Sequence, residues 1–246
     1  MIARQILIHE DPEATANAIA ARLITSIADA LAARGVAHVV VTGGSLGIAA
    51  LEAVAANPAK TSVNWSQVHF WWGDERFVAT DSADRNVLQA EALFAALDEL
   101  GLDRSTVHAM GASDKYDTAE QAAEAYAAEL AAEAEQGALN PAFDVLMLGM
   151  GPDSHVASLF PNHTRSDQPG VIAVHDSPKP PPHRVTLTMG TINTAKEVWL
   201  IVTGADKAPA LAKAQHEINE VAVPASAVHG TEATRWIIDR AAATLL

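Results

Sequence analysis

The chain has 246 residues, 49% of them hydrophobic, which is enough to bury the core of one domain or at most two small ones. Its 16 Lys and Arg residues against 30 Asp and Glu residues give a net charge of −14, which argues against electrostatic binding to nucleic acid or anionic membranes. The absence of cysteine excludes disulfides, thiolate metal sites, iron–sulfur clusters and a thiol nucleophile. The N-terminal stretch lacks the long apolar core of a signal peptide, and no apolar run reaches the ~20 residues needed to cross a bilayer, so we expect a soluble, cytoplasmic protein.

Short β-branched runs alternate with longer Ala-rich segments along the chain. In chain order, we predict strands at 5–9, 38–42, 68–72, 143–148, 171–174, 184–188, 197–202 and 235–239. Between them, we predict helices at 12–34, 48–55, 86–97, 118–135 and 207–215. Asp11 as N-cap, Pro12 in the first turn and Gly35 after the last turn mark the ends of the first helix. This succession predicts one domain over residues 1–246 with a parallel sheet between helices, in which ligands bind at the carboxyl ends of the strands.

The loop after the second predicted strand is rich in glycine and leads into a helix. Gly43 and Gly44 allow a tight turn, and Ser45 with the helix dipole completes a site for phosphate or carboxylate. A tight turn with Ser45 as N-cap explains the same residues without a ligand. Gly43-x-Ser45-x-Gly47 also matches the nucleophile elbow of serine hydrolases, although only two predicted strands precede it and no HGGG-type segment is found.

Two carboxylates and a guanidinium follow the third predicted strand, in the stretch 73–76. A surface ion pair is the simplest interpretation of this triplet. Arg76 is nevertheless well placed to bind an anion through two hydrogen bonds, and Asp74 to orient a neighbouring base.

A Gly-rich loop follows the fourth predicted strand and carries His155 two residues after Asp153. A proline at position 152 makes a dinucleotide-binding fingerprint a poor interpretation of this loop. A single histidine is often structural, but one held at the carboxyl end of a buried strand is better placed to act as a general base.

Arg184 and Lys207 supply positive charge in an otherwise acidic chain, as the binding of a small phosphorylated substrate requires. We predict no metal site, because the sequence has no HExxH motif and no cysteine, and His155 and His163 are too far apart for one helical face. The alternative of a metal site whose ligands come from distant loops stays open at this point.

Together these motifs resemble the 6-phosphogluconolactonase family. The matching stretches run in the family's order and cover most of the chain: Thr42-Gly43-Gly44-Ser45, Trp72-Gly73-Asp74-Glu75-Arg76, residues 148–161, residues 177–182 followed by Arg184-Val185-Thr186, and Gly204 with Lys207. The resemblance implies an α/β fold, a three-layer αβα sandwich with a mostly parallel, Rossmann-like central sheet. The family shares this fold with glucosamine-6-phosphate deaminases and ribose-5-phosphate isomerases.

The resemblance also implies hydrolysis of 6-phospho-D-glucono-1,5-lactone to 6-phosphogluconate, in the oxidative branch of the pentose phosphate pathway. By the family's pattern, His155 is the base that activates water, with Asp74 and Arg76 lining the site. The implied phosphate-binding residues are Gly43, Gly44, Ser45, Arg184 and Lys207. The expected partner is a small phosphorylated sugar lactone, with no cofactor, nucleic acid or membrane, bound by a monomer or small homo-oligomer.

Two positions depart from the family's pattern. Ser154 stands where the family usually has glycine, which is costly if the backbone there needs a positive φ. Arg85 stands where the family usually has serine, so it either adds a cation to the site or points outward.

Three alternatives stay open. A glucosamine-6-phosphate deaminase or isomerase would share the fold, but residues 157–161 after His155 lack the Asn-Glu-Pro ending that supplies the ring-opening glutamate of deaminases. A non-catalytic sugar-phosphate-binding domain is the second alternative. A serine hydrolase acting through Ser45 is the third.

Overall fold

The computed structural model of the chain describes residues 3–163, 168–216 and 218–246. The strands are β1 (Ala3–His9), β2 (Ala37–Val41), β3 (Val68–Trp72), β4 (Asp74–Arg76), β5 (Val145–Gly149), β6 (Val171–Val174), β7 (Arg184–Leu187), β8 (Glu197–Val202) and β9 (Ala233–Asp239). The α-helices are α1 (Pro12–Arg34), α2 (Ser45–Ala56), α3 (Asn86–Gln89), α4 (Glu91–Asp98), α5 (Ala119–Ala132), α6 (Met189–Ile192), α7 (Ala208–His216) and α8 (Pro224–Ala227). Short 3₁₀ helices cover Pro58–Ser62, Trp65–Gln67, Arg104–Thr106, Ala205–Lys207 and Ala242–Leu245.

Six strands form the central sheet in the order β1-β9-β8-β5-β2-β3, and every pairing between them is parallel. All five residues of β2 are buried, as is typical of a strand covered by helices on both faces. The sheet and its flanking helices form the three-layer α/β sandwich that the sequence predicts.

The first helix, α1, shows how local sequence sets the element boundaries. Asp11 accepts a hydrogen bond from the Ala14 N–H at 2.8 Å, and Gly35 ends the helix at a φ of 77°, a left-handed conformation that glycine adopts without strain. By length and composition α1 could cross a membrane. In this fold its apolar side, which includes the fully buried Ile19 and Ile27, packs against α2 and β9.

A second sheet of three antiparallel strands, in the order β4-β7-β6, lies apart from the central one. The prediction that residues 171–174 and 184–188 are further strands of the parallel sheet is wrong. Only the loop 175–183 joins β6 to β7, whereas a parallel pair needs a crossover of a dozen or more residues. The second sheet also contains β4, whose residues lie outside every predicted strand.

Several predicted helices differ in their limits, and the one predicted at 118–135 covers Ala119–Ala132. The helix predicted at 48–55 begins three residues earlier, at Ser45, because Gly44 rather than Ser45 occupies the N-cap position. The helix predicted at 86–97 is interrupted at Ala90, whose N–H donates to the Val87 carbonyl in the tighter 3₁₀ pattern.

Candidate active site

A cavity of about 320 Å³ opens between the carboxyl ends of the central strands and the second sheet. Its walls come from the loops after β2, β5 and β8 and from β4 and β7, which is where ligands bind in open α/β sheets. The cavity brings together all eight residues that the sequence analysis assigns to the site, which are Gly43, Gly44, Ser45, Asp74, Arg76, His155, Arg184 and Lys207.

The glycine–serine turn after β2 forms one wall of the cavity. Gly44 has a φ of 81°, and Ser45 is the first residue of α2, so the first turn of this helix faces the cavity. The first N–H groups of a helix lack intrahelical partners, and together with the helix dipole they attract an anion. A Cβ at Gly43 would lie 2.0 Å from Oδ1 of Asn86, so the turn packs closely against the α3 segment.

His155 lies on another wall, on the loop that follows β5. Its Nδ1 is 2.5 Å from Oδ1 of Asp153, and its ring contacts Phe160 with the ring centroids 4.8 Å apart. Burial alone would raise the pKa of Asp153, but the hydrogen bond and charge of His155, with help from Lys179, lower that pKa to about 2. Asp153 is therefore ionised at neutral pH and fixes Nδ1, which leaves Nε2 as the ring nitrogen available to a substrate.

The loop that carries this pair is too tight for any side chain at Gly151. A Cβ there would lie 2.0 Å from Nδ1 of His155 and 2.5 Å from Oδ1 of Asp153. The N–H of Gly151 donates to the His155 carbonyl at 3.0 Å, so the loop folds back on itself. The backbone thus holds the imidazole in one place.

Ser154, where the resemblance leads us to expect glycine, has a φ of 71° and is 3% exposed. The left-handed conformation costs a residue with a side chain roughly 1–2 kcal/mol. Glycine avoids that cost but loses roughly 0.5–1 kcal/mol through the greater freedom of the unfolded chain. The serine at this position therefore stores strain beside the His155 loop.

We accordingly expect Ser154→Gly to raise the free energy of unfolding by about 0.5–1 kcal/mol, measured by urea titration. Ser113→Gly is the matched control, because Ser113 is exposed and does not have a positive φ. The control should lower the free energy of unfolding. A lower value for Ser154→Gly as well would show that the loop has relaxed around serine.

Asp74 and Arg76 are the first and last residues of β4, and Glu75 lies between them in the strand. Oδ2 of Asp74 accepts a hydrogen bond from Oγ of Ser158 at 2.6 Å and lies 3.9 Å from Nη1 of Arg184. Nη1 of Arg76 donates to the Asp84 carbonyl at 2.6 Å, whereas its Nε is buried without a hydrogen-bond partner among the described residues. Arg76 also lines the cavity, so β4 and the Asp84 carbonyl together hold its guanidinium at the cavity wall.

Glu75 is a supporting residue that the sequence analysis does not identify. It is 1% exposed, and its carboxylate accepts hydrogen bonds of 2.7–3.0 Å from the backbone N–H groups of Arg76, Asn86 and Val87. Burial raises the pKa of this carboxyl group in spite of these bonds. Glu75 ties β4 to the first turn of α3 and so fixes one rim of the cavity.

Arg85 neither enters the cavity nor points outward, which corrects both expectations for it. It is 3% exposed, donates from Nη2 to the Met110 carbonyl at 2.6 Å and lies 3.9 Å from Glu75. The buried carboxylate of Glu75 accounts for this position, since it provides a charge partner inside the protein.

Besides Arg76, three cations line the cavity among the described residues, namely Lys179, Arg184 and Lys207, and Lys179 is absent from the predicted site. Arg184 donates to the carbonyls of Lys179, Pro180 and Pro181, so it holds the Pro-rich loop over the cavity. Burial lowers the pKa of Lys179, and although Asp153 opposes this effect, Lys207 and Arg184 add to it. Such crowding of positive charge favours a bound anion.

This chain is similar in sequence to a known family of proteins. A sequence model described as glucosamine-6-phosphate isomerases/6-phosphogluconolactonase matches residues 10–236. The 6-phosphogluconolactonase of Streptomyces coelicolor is 50% identical over 248 residues, covering 98% of this chain and 94% of that protein. The 6-phosphogluconolactonase of Mycobacterium tuberculosis is 43% identical over 245 residues, with 98% of each chain covered.

Solved structures show the same likeness. The 6-phosphogluconolactonase from Thermotoga maritima superposes with a TM-score of 0.81 at 28% identity, covering 97% of this chain and 100% of that one. A monomeric glucosamine-6-phosphate deaminase also reaches a TM-score of 0.81, but at 18% identity it shows a shared fold alone. From the match over most of its length and these close relatives, we conclude that the chain belongs to the glucosamine-6-phosphate isomerase and 6-phosphogluconolactonase family.

Proposed function

We propose that this protein, acting as a single domain, hydrolyses 6-phospho-D-glucono-1,5-lactone to 6-phospho-D-gluconate in the oxidative branch of the pentose phosphate pathway. Relatives that are 43–50% identical over nearly the whole chain carry the name 6-phosphogluconolactonase. The observation that carries the proposal is the pairing of His155 with Asp153 in a cavity whose other walls carry Lys179, Arg184 and Lys207. A base and a group of cations in one cavity suit a substrate with an ester at one end and a phosphate at the other.

In the proposed reaction, Nε2 of His155 takes a proton from water while the water oxygen attacks the lactone carbonyl carbon. The tetrahedral intermediate then collapses, the bond to the ring oxygen breaks, and the imidazolium returns the proton to that oxygen. Asp153 keeps the imidazole in the required tautomer and stabilises its charged form. The steps use only water and the side chains of the cavity.

Arg76 is the residue we assign to the developing oxyanion. It lines the cavity, and the hydrogen bond from its Nη1 to the Asp84 carbonyl holds its guanidinium in place. Asp74 acts as a positioning residue, through Ser158 and the nearby guanidinium of Arg184.

The phosphate would be bound by the N-terminal turn of α2 and by the cations. We expect Lys207→Ala and Lys179→Ala each to lower kcat/KM for the phosphorylated lactone by about 10- to 100-fold, a loss of one charge-assisted hydrogen bond. The value for unphosphorylated glucono-1,5-lactone should change less than threefold, as should both values in the control Lys115→Ala, an exposed lysine outside the cavity. Equal losses for both lactones would contradict the phosphate-binding role.

The function itself is tested by following the lactone with and without enzyme, after subtracting its spontaneous hydrolysis. A parallel assay measures ammonia release from glucosamine 6-phosphate. Acceleration of lactone opening alone supports the proposal, whereas ammonia release would identify a deaminase. Tight binding of sugar phosphates with no turnover of either compound would identify a non-catalytic sugar-phosphate-binding protein.

A further inference from the structure

A second cluster of titratable side chains lies near the amino ends of the central strands, whereas the cavity lies at their carboxyl ends. His38 and His69 are the second residues of β2 and β3 and are register partners in that pair of strands. His108 lies beside these two histidines, because its backbone N–H donates to the carbonyl of Phe70, the residue after His69, at 2.9 Å. The cavity begins at Thr42, beyond the carboxyl end of β2, so the two groups are separated by the length of the strands.

Three side chains of this cluster present potential metal ligands to one point. Nδ1 of His69 lies 2.9 Å from Nε2 of His108 and 3.6 Å from a carboxylate oxygen of Glu133. One such atom from each residue falls within 4.8 Å of the other two. In a tetrahedral zinc site with bonds of about 2.0–2.2 Å, neighbouring ligand atoms lie roughly 3.3–3.6 Å apart. The His69–Glu133 distance already matches this spacing, the two histidine nitrogens would have to separate by roughly half an ångström, and the His108–Glu133 pair lies within 4.8 Å.

His108 is already oriented as a ligand. Its Nδ1 is 2.7 Å from a carboxylate oxygen of Glu129, and its ring stacks on the buried indole of Trp71 with the ring centroids 3.7 Å apart. A carboxylate that accepts a hydrogen bond from Nδ1 leaves Nε2 as the nitrogen without a proton, which is the usual outer arrangement around a metal-binding histidine. The stacking on Trp71 limits rotation of the ring.

The fourth polar residue of the group, His38, is engaged elsewhere. Its Nδ1 lies 3.2 Å from Nε1 of Trp71, which donates to it, and its ring packs against His69 with the centroids 4.7 Å apart. His38 therefore supports the position of His69 rather than adding a ligand. Glu133, which directly follows α5, is 38% exposed, so the cluster is open to ions from solvent.

We propose that Nδ1 of His69, Nε2 of His108 and the carboxylate of Glu133 bind a divalent transition-metal ion of the zinc type, with water as the remaining ligand. Two imidazole nitrogens and one carboxylate oxygen are ligands that zinc prefers, whereas Mg²⁺ and Ca²⁺ take oxygen ligands. Neutral His69 would carry its proton on Nε2 in the bound state. The ion would link β3 to the end of α5.

The test uses the full chain after removal of metal with EDTA, titrated with ZnCl₂ by calorimetry and by thermal unfolding. We expect one ion to bind per chain and to raise the midpoint of unfolding. His69→Gln and Glu133→Gln should each weaken binding more than 10-fold, and Glu129→Gln about 10- to 100-fold through its hold on His108. Glu124→Gln, an exposed carboxylate on the same helix, is the control and should bind zinc as the unmodified chain does.

Glu133 is exposed, so its replacement should leave the far-ultraviolet circular dichroism unchanged and its effect on binding can be interpreted directly. If the Glu133→Gln and His69→Gln variants bound zinc with the affinity of the unmodified chain, the proposal would be overturned. So would the failure of the unmodified chain to bind one equivalent of zinc with a saturable isotherm. Neither result would contradict the proposed lactone hydrolysis, because that site lies at the carboxyl ends of the strands.

Discussion

Replacing His155 with alanine should lower kcat for the phosphorylated lactone by about 10²–10⁴-fold, the loss expected when a general base is removed. The fold should survive, because the side chain lies on a loop, is 16% exposed and lines a cavity rather than the core. Steady-state kinetics corrected for spontaneous hydrolysis, with circular dichroism on the same samples, measure both effects. Asp153→Asn should also lower kcat, since the amide keeps the shape of the side chain but not the charge that supports the imidazolium.

The matched control for this experiment is His229→Ala. His229 is an exposed histidine outside the residues that line the cavity, so its loss should leave kcat within about twofold of the original value. If His155→Ala hydrolysed the lactone at the original rate, another group would have to be the base. Loss of activity in both variants would point to a general effect on stability.

Gly151→Ala should be nearly as damaging, although it removes no functional group. The new methyl group would lie 2.0 Å from Nδ1 of His155 and 2.1 Å from Cε1, so the imidazole or the loop must move. A displacement of about 1 Å at a reacting group costs roughly 10²-fold in rate, so we expect kcat to fall by about that factor. KM should change little, because the cations that we assign to the phosphate lie on other loops.

Gly149→Ala provides the control for that prediction. Gly149 is the last residue of β5 and also lines the cavity, but a Cβ there has no atom of the described structure within 4 Å. This variant adds the same methyl group to the wall without touching His155, so kcat should stay within a fewfold of the original. A similar loss of kcat in both glycine variants would mean that the cavity cannot accept any added volume.

The sequence predicts well the features that depend on local pattern. The bounds of α1 follow from Asp11, Pro12 and Gly35, and the buried run of β2 follows from its β-branched residues. Because parallel strands end at the same edge of a sheet, the positions of His155 and the glycine–serine turn in one cavity also follow from the order of elements.

The features that the sequence does not predict depend on long-range contacts. β4 has the composition of a polar loop, and it becomes a strand only by pairing with β7, more than a hundred residues later. Lys179 reaches the cavity because Arg184 binds the carbonyls of the Pro-rich loop, a contact that composition alone does not indicate. A lysine within a proline run near other cations is the only local signal for it.

The pairing of β1 has a consequence for how the chain folds. β1 is an edge strand whose partner in the sheet is β9, and the hydrogen bond between Gln5 and Arg235 joins residues 230 positions apart. During synthesis the first strand therefore has to wait, with its backbone unpaired, until β9 has left the ribosome. A nascent chain arrested before residue 233 would therefore present a strand without its partner to chaperones and neighbouring chains.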